Sequence, residues 1–386
     1  MPRKFFDDYT QGLTSQDVQR LFTRDAPEAY RFFTRGLDVE KIRRMPWYRR
    51  WWIYTRELFV RFSMRLTPAR RVLYGLSVFL TFVGLIELFR GVHETRILLF
   101  PFTAHVPLPR WEPGATKLLL GFVGLQMLML MEIADRLSLK GDLEIARDIQ
   151  LAMLPSGTIE IAAPAGQETG SARACGLTRP ANTVGGDFYD ILPLPDGRVI
   201  ITVGDVSGKG SPAALLMALL LAMMRTLVDE GLESARLLTR LNTQIVRHAP
   251  GSRFITLFYG LYDPRTGDLE YVNAGHLPPL LHRRDGTFDR LTGGNIALGM
   301  FDGSTYESHH ARLNAGDALI LYSDGITEAE DHRGQEFDES HLSAAISAAA
   351  THDPEPLGRA VLAAVDRHAG DVRLVDDLTV LVLSQN

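Results

Sequence analysis

Val72 to Phe89 reads VLYGLSVFLTFVGLIELF, eighteen residues with one charge, Glu87, near the end. A helix that crosses a bilayer needs roughly 20 apolar residues, with about 17 as the lower limit. The run begins far from residue 1, so it is not a secretory signal. A second run, Leu118 to Met131 (LLLGFVGLQMLMLM), follows a loop containing Pro101, Pro107, Pro109 and Pro113. Lys117 can snorkel at one end of it, Glu132 marks the other, and Ala115 and Ile133 extend its apolar length. All four tryptophans flank this region: Trp47, Trp51 and Trp52 before the first run, Trp111 before the second. Tryptophan collects at membrane interfaces because its ring is apolar and its N–H wants water. The bland alternative is a pair of buried core helices. The composition favours a membrane hairpin over residues 72–133.

Charge gives the hairpin a direction. Residues 41–71 hold ten basic side chains, Lys41, Arg43, Arg44, Arg49, Arg50, Arg56, Arg61, Arg65, Arg70 and Arg71, against one acid, Glu57. With Tyr48, Tyr54, Phe59 and Phe62 among them, residues 46–66 read as a basic helix lying on anionic membrane lipid. The positive-inside rule puts residues 1–71 in the cytoplasm, and two crossings return the rest of the chain there. The expected location is the inner, cytoplasmic membrane. The net charge of −5 gives no sign of a nucleic-acid partner. One cysteine, Cys175, excludes an intrachain disulfide. Leu21-Phe22, Tyr30, Phe32-Phe33 and Leu37 suggest short helices ahead of the basic stretch.

Residues 134–165 read as a connecting helix. Ile145, Ile149 and Ala152 fall at i, i+4 and i+7 on one face, Gly141 marks a point where the helix can break, and Pro155 ends it. The segment is either a tether or a dimerising helix that carries a signal.

From about Gly166 the grammar changes. Arg198 to Val203, Phe254 to Tyr262, Leu269 to Val272, Ala318 to Tyr322 and Leu378 to Leu383 are β-rich runs set off by turn residues. Helical stretches fit Pro212 to Val228, Leu232 to His248, Glu339 to Ala350 and Glu355 to His368. The first is apolar nearly all round, which predicts burial, and its core of 213–224 is too short for a third crossing. Antiparallel strands flanked by helix pairs predict a layered α/β sandwich over 166–386.

Four acidic motifs lie at the ends of these strands: Gly186-Asp187, Gly204-Asp205, Ser323-Asp324-Gly325 and Asp376-Asp377. Asp beside Gly is ordinarily turn chemistry. Four in this order, each tied to a β-rich run, point instead to a shared cleft. Hard cations such as Mg²⁺ and Mn²⁺ take oxygen ligands, and two of them can activate one water for attack on phosphorus. No protein nucleophile is evident. Cys175 cannot serve a Cys-x5-Arg loop, because position 181 is Ala181, and no Asp-x-Asp-x-Thr sequence occurs.

The longer signatures are Ala146-Arg147-Asp148-Ile149-Gln150 through Pro155, VGGDFYD at 184–190, GDVSGKG at 204–210, Asn273-Ala274-Gly275-His276, YSDGITEA at 322–329 and DDLT at 376–379. In this order they resemble the PPM family of metal-dependent serine/threonine phosphatases, and within it the SpoIIE/RsbU-type bacterial branch, over about residues 142–386. GGDFYD alone is similar to the GGDEF loop of diguanylate cyclases, but the three later acidic motifs are foreign to that family.

The resemblance implies an αββα sandwich with two Mn²⁺ or Mg²⁺ ions. It carries metal roles onto Asp187, Asp205, Asp324 and Asp376, and onto the backbone carbonyl of Val206. Asp187 and Asp205 then stand at the centre of catalysis, and Asp377 is the competitor of Asp376. His276 is open between a turn-stabilising imidazole and a general acid. Lys209 is open between a phosphate contact and a solvated loop lysine. Arg179 is the one arginine offered for phosphate. The implied substrate is phosphoserine or phosphothreonine on an STAS-domain anti-anti-sigma protein. The connecting helix allows a homodimer. The competing expectation is a catalytically silent membrane scaffold on the same fold.

Overall fold

The computed structural model describes residues 45–90, 92–99, 102–109, 112–162, 171–249 and 253–385. The helices expected before residue 41, Trp111 and the expected domain start at Gly166 lie outside them. The chain divides into two compact units, Met1–Ser138 and Leu139–Asn386.

In the first unit, α1 (Trp47–Arg65) follows Pro46, and α2 (Pro68–Arg90) opens on a proline. Proline suits a first helical turn, where its missing N–H has no intrahelical acceptor in any case. Tyr74 of α2 stacks on Phe59 of α1, with ring centroids 5.2 Å apart. The expected proline-rich loop is instead an antiparallel hairpin of β1 (Val92–Leu99) and β2 (Phe102–Pro109), with Val92 opposite Pro109. A two-stranded ribbon has a free edge on each strand, which accommodates the prolines of β2.

Then comes α3 (Glu112–Met153), a single helix. Gly141 does not break it, although glycine costs about 1 kcal/mol against alanine in a helix. The second apolar run and the connecting segment are therefore one element, without an interruption at 133/134. Small residues bring α2 and α3 close. A Cβ on Gly121 would lie 2.3 Å from Thr81 Oγ1 and 2.7 Å from the Ser77 carbonyl, and one on Gly84 would lie 2.6 Å from the Leu118 nitrogen. Backbone approach of this kind is how helices associate in lipid. Lys117 pairs with Glu87, and Arg70 with Asp135 at 2.5 Å. By length and composition, Pro68–Leu88 and Pro113–Met153 can each cross a membrane.

The second unit is built on two antiparallel sheets. One sheet contains β3 (Thr158–Ala162), β4 (Ser171–Arg179), β9 (Leu280–His282), β10 (Phe288–Arg290), β12 (Ala318–Tyr322) and β13 (Leu378–Gln385), in the order β10-β9-β12-β13-β4-β3. The other contains β5 (Phe188–Pro193), β6 (Val199–Val206), β7 (Ile255–Asp263), β8 (Asp268–Ala274) and β11 (His309–Arg312), in the order β11-β8-β7-β6-β5. The first sheet takes in β3, ahead of residue 166.

Helices α4 (Ser211–Asp229) and α5 (Ser234–His248) pack on the five-stranded sheet. After the short α6 (Asp324–Thr327), α7 (Asp338–Ala348) packs on α8 (Pro354–Ala369), which covers β4 and β13. The result is an αββα sandwich. The pleat sorts the side chains, since alternate residues point to opposite faces. Leu319, Leu321, Leu381 and Leu383 join the core with the second sheet, while Ile320, Val380 and Val382 join the core under α7 and α8.

Helix α4 reaches 19 residues, long and apolar enough to cross a membrane by length and composition. The expectation that this run is too short does not hold for the whole helix. Packing decides its place instead: Met217, Leu220, Leu221 and Met224 are fully buried in the protein core.

Candidate metal centre

The acids reach the site from both sheets. Asp187 immediately precedes β5, and Asp205 is the last residue but one of β6. Asp324 opens α6 directly after β12 and Ser323, and Asp376 stands two residues before β13. Strand ends present these side chains because the backbone leaves the ladder there and turns.

Asp187 is buried, and its Oδ2 has no hydrogen-bond partner. Burial holds its carboxyl well above the usual range, the neighbouring Asp205 adds to this, and the Ser323 and Thr379 hydroxyls oppose it. Asp205 is pushed up to about 7 by burial, then by repulsion from Asp324 and Asp376. Asp324 is raised by burial and by Asp376. These shifts describe acids crowded together without enough positive charge. Lys209 answers part of it, donating to Asp376 Oδ2 and to the Val375 carbonyl, each at 2.8 Å.

The neighbouring acids Asp376 and Asp377 have different surroundings. Asp377 is buried and accepts hydrogen bonds from the Ala181 and Gly186 N–H groups, both at 2.8 Å. Its carboxylate thereby holds the Gly-Gly-Asp loop. Asp376 is half exposed and is hydrogen-bonded by Lys209 and by the Asp377 N–H.

Among the described residues no three His, Cys, Asp or Glu side chains close into a cage for an ion. The donors do converge at Gly186. A Cβ there would stand 2.8 Å from Asp205 Oδ1 and 2.8 Å from the Val206 carbonyl oxygen. Glycine keeps that cradle open, and the carbonyl expected to serve as a ligand faces it. An oxygen-only donor set with one orphaned carboxylate oxygen fits a hard divalent cation.

Three basic or polar residues take places that their sequence positions did not signal. Arg179 is engaged in a two-point ion pair with Asp366 of α8. Arg253, just before β7, donates to the Ser207 carbonyl at 2.9 Å and lies over Gly208, on the loop that follows Asp205. Gln150, near the end of α3, donates to the Gly185 carbonyl at 3.0 Å and accepts from the Gly185 N–H at 3.3 Å. The end of α3 is fixed twice more. Arg225 of α4 donates to the Met153 carbonyl at 2.7 Å while paired with Asp190, and the Tyr189 hydroxyl donates to the Pro155 carbonyl at 2.7 Å.

His276 is buried, and burial lowers its pKa to about 4, so the ring is neutral at physiological pH. Burial thus favours the neutral ring, which suits the turn-stabilising imidazole better than a general acid. Cys175 is also buried, and burial raises its thiol pKa, so it is no nucleophile.

The sandwich and its acid-lined cleft define a phosphatase domain of the PPM class. Residues 195–386 match the family model described as Stage II sporulation protein E (SpoIIE). This chain carries a PPM phosphatase domain of the SpoIIE family. Phosphoserine phosphatase RsbU of Bacillus subtilis (strain 168) is 30% identical over 197 residues, which cover 51% of this chain and 56% of RsbU. Protein IcfG of Synechocystis is 27% identical over 289 residues, 68% of this chain and 44% of IcfG. The chain thus spans about half the length of the curated relatives it matches. Among solved structures, the RsbU and RsbW domains of a Mycobacterium tuberculosis protein align with TM-score 0.50 at 27% identity, over 56% of this chain and 61% of that one. The SiaA-PP2C domain of Pseudomonas aeruginosa aligns with TM-score 0.53 over 65% of this chain and 98% of that one, and at 22% identity it shows the fold.

Proposed function

We propose that this chain is a membrane-anchored phosphoprotein phosphatase, acting on phosphoserine or phosphothreonine of an STAS-domain regulatory protein. The observation that carries the reading is the Gly186 cradle, faced by Asp205 Oδ1 and the Val206 carbonyl, together with the next residue, Asp187, whose buried Oδ2 has no hydrogen-bond partner. Asp187, Asp205, Val206, Asp324 and Asp376 are the proposed ligands of two Mn²⁺ or Mg²⁺ ions. When bound, such ions activate a water for in-line attack and neutralise the phosphoryl oxygens. The chain's own residues place the substrate and hold the frame. Asp377 fixes the Gly186 loop, and Arg253 presents a guanidinium at the rim for phosphoryl oxygens.

In this reading α2 and the first part of α3 form the membrane hairpin, with the phosphatase domain on the cytoplasmic side. Inside-out vesicles carrying the full chain should release phosphate from an added phosphoseryl STAS protein with Mn²⁺. Sealed right-side-out vesicles should not. Turnover only in the right-side-out preparation would reverse the topology, and none in either would leave the silent scaffold.

The proposed dimer uses Ile145 and Ile149 of α3 with Leu215 of α4, large apolar side chains that are all exposed. Ile145→Asp should shift the detergent-solubilised protein from dimer to monomer in sedimentation. Identical sedimentation of both forms would remove this surface from the reading.

A further inference from the structure

His276 stands at the seam between the two sheets, where no expected metal ligand is its neighbour in sequence. The turn that carries it is firmly built. Gly275 has φ +75°, a conformation that L side chains rarely adopt. Asn273 at the end of β8 clamps the turn both ways: its Oδ1 accepts from the His276 N–H at 2.7 Å, and its Nδ2 donates to the His276 carbonyl at 3.0 Å. The ring therefore enters the sandwich from a fixed backbone.

Inside, the ring has one polar neighbour in each sheet. Nδ1 lies 3.1 Å from Thr256 Oγ1 on β7. Thr256 is the direct cross-strand partner of Asp205 on β6. The second neighbour is the backbone carbonyl of Tyr322, the last residue of β12, two positions before Asp324. Nε2 is buried and has no hydrogen bond of full geometry. A core histidine selected for stability alone would be expected to use both nitrogens, because buried polar atoms are ordinarily paired.

We infer that His276 is a positioning residue: its ring spaces the two sheets beneath the acids, so that Asp205 from one and Asp324 from the other serve one pair of ions. The inference rests on the metal reading above. The residue type suits the task. A lysine or arginine would place a competing cation under the acids. An aliphatic residue would leave the Thr256 hydroxyl without its partner. A neutral ring is rigid and offers one donor and one acceptor.

The test uses the full-length protein in detergent, loaded with Mn²⁺ and read by electron paramagnetic resonance beside steady-state kinetics. Wild type should show the exchange-coupled signal of two neighbouring Mn²⁺ ions. His276→Ala should keep its far-UV circular dichroism but show isolated Mn²⁺, with kcat for p-nitrophenyl phosphate down about 10- to 100-fold, the range for groups that support metal ligands. KM should stay within about twofold, because the substrate contacts are untouched. His276→Gln, which keeps a neutral donor and acceptor, should recover most of the coupled signal. Thr256→Val should lower it with the ring still present, and it carries the test if His276→Ala does not fold. A wild-type coupled signal and kcat in His276→Ala, or in Thr256→Val where His276→Ala is unfolded, would overturn the inference. A wild type that binds no Mn²⁺ would overturn the metal reading beneath it, a distinguishable result.

Discussion

Asp205→Asn should reduce phosphate release from p-nitrophenyl phosphate by about 10³-fold, the upper range for removing one electrostatic contact to a reacting group. The fold should survive. The amide is isosteric, and it removes a charge that Asp324, Asp376 and Asp377 repel. In chelator near neutral pH the variant should therefore melt at or above the wild-type temperature. That pairing separates a lost ligand from a lost fold. Low activity with a clearly lower melt would mean unfolding, and full activity would remove Asp205 from the site.

Mn²⁺ should stabilise the wild-type domain strongly. Each ion at about 100-fold excess over its Kd contributes about 2.7 kcal/mol. For a domain of this size, 1 kcal/mol moves the midpoint by roughly 2–4 °C. The chelated protein should also show a definite pH trend. The folded Asp205 carboxyl is pushed up to about 7, above its ordinary value, so the folded chain binds a proton that the unfolded chain has already released. The resulting penalty is absent below the ordinary carboxylate range, grows as pH rises, and is complete above about 7. Differential scanning fluorimetry in chelator should show the melt falling from about pH 5 to about pH 8, with Mn²⁺ closing most of the gap. A chelated profile that rises with pH would contradict the crowding of these acids.

Strands β6, β7, β8, β12 and β13 and helices α4, α5, α7 and α8 were legible in the sequence because each satisfies a local rule, whereas β3, β4 and β5 were not picked out. Leu319 and Leu321 alternate with Ile320, and α5 keeps Leu237, Leu238, Leu241 and Ile245 on one buried face. The short strands β9, β10 and β11 were not legible. Three or four residues carry too little periodicity, and they form only because a neighbouring strand offers an edge. Residues 134–165 looked like a separate helix because the apolar run stops at Glu132, and Gly141 added a weak local signal for a break. The stacking of α3's turns on either side overrides it.

The candidate site divides in the same way. The acids stood out because glycine or serine flanks them beside β-rich runs. The different surroundings of Asp376 and Asp377 depend on Ala181 and Gly186, nearly two hundred residues away in sequence. The guanidinium of Arg253 over Gly208 and the ring of His276 between two sheets are products of tertiary folding. No spacing along the chain encodes either.

The last turn of α3 has a further consequence. Gln150, Met153 and Pro155 are bonded to Gly185, Arg225 and Tyr189, and these contacts bracket Asp187 from two residues before it to two after. The helix end thus grips both the loop that carries Asp187 and the strand that follows it. A roll of the helix about its own axis would reach the loop that carries Asp187 through these three contacts, like a thumb on a tuning peg. Torque on that helix end would be felt at the acid cleft through hydrogen bonds already in place.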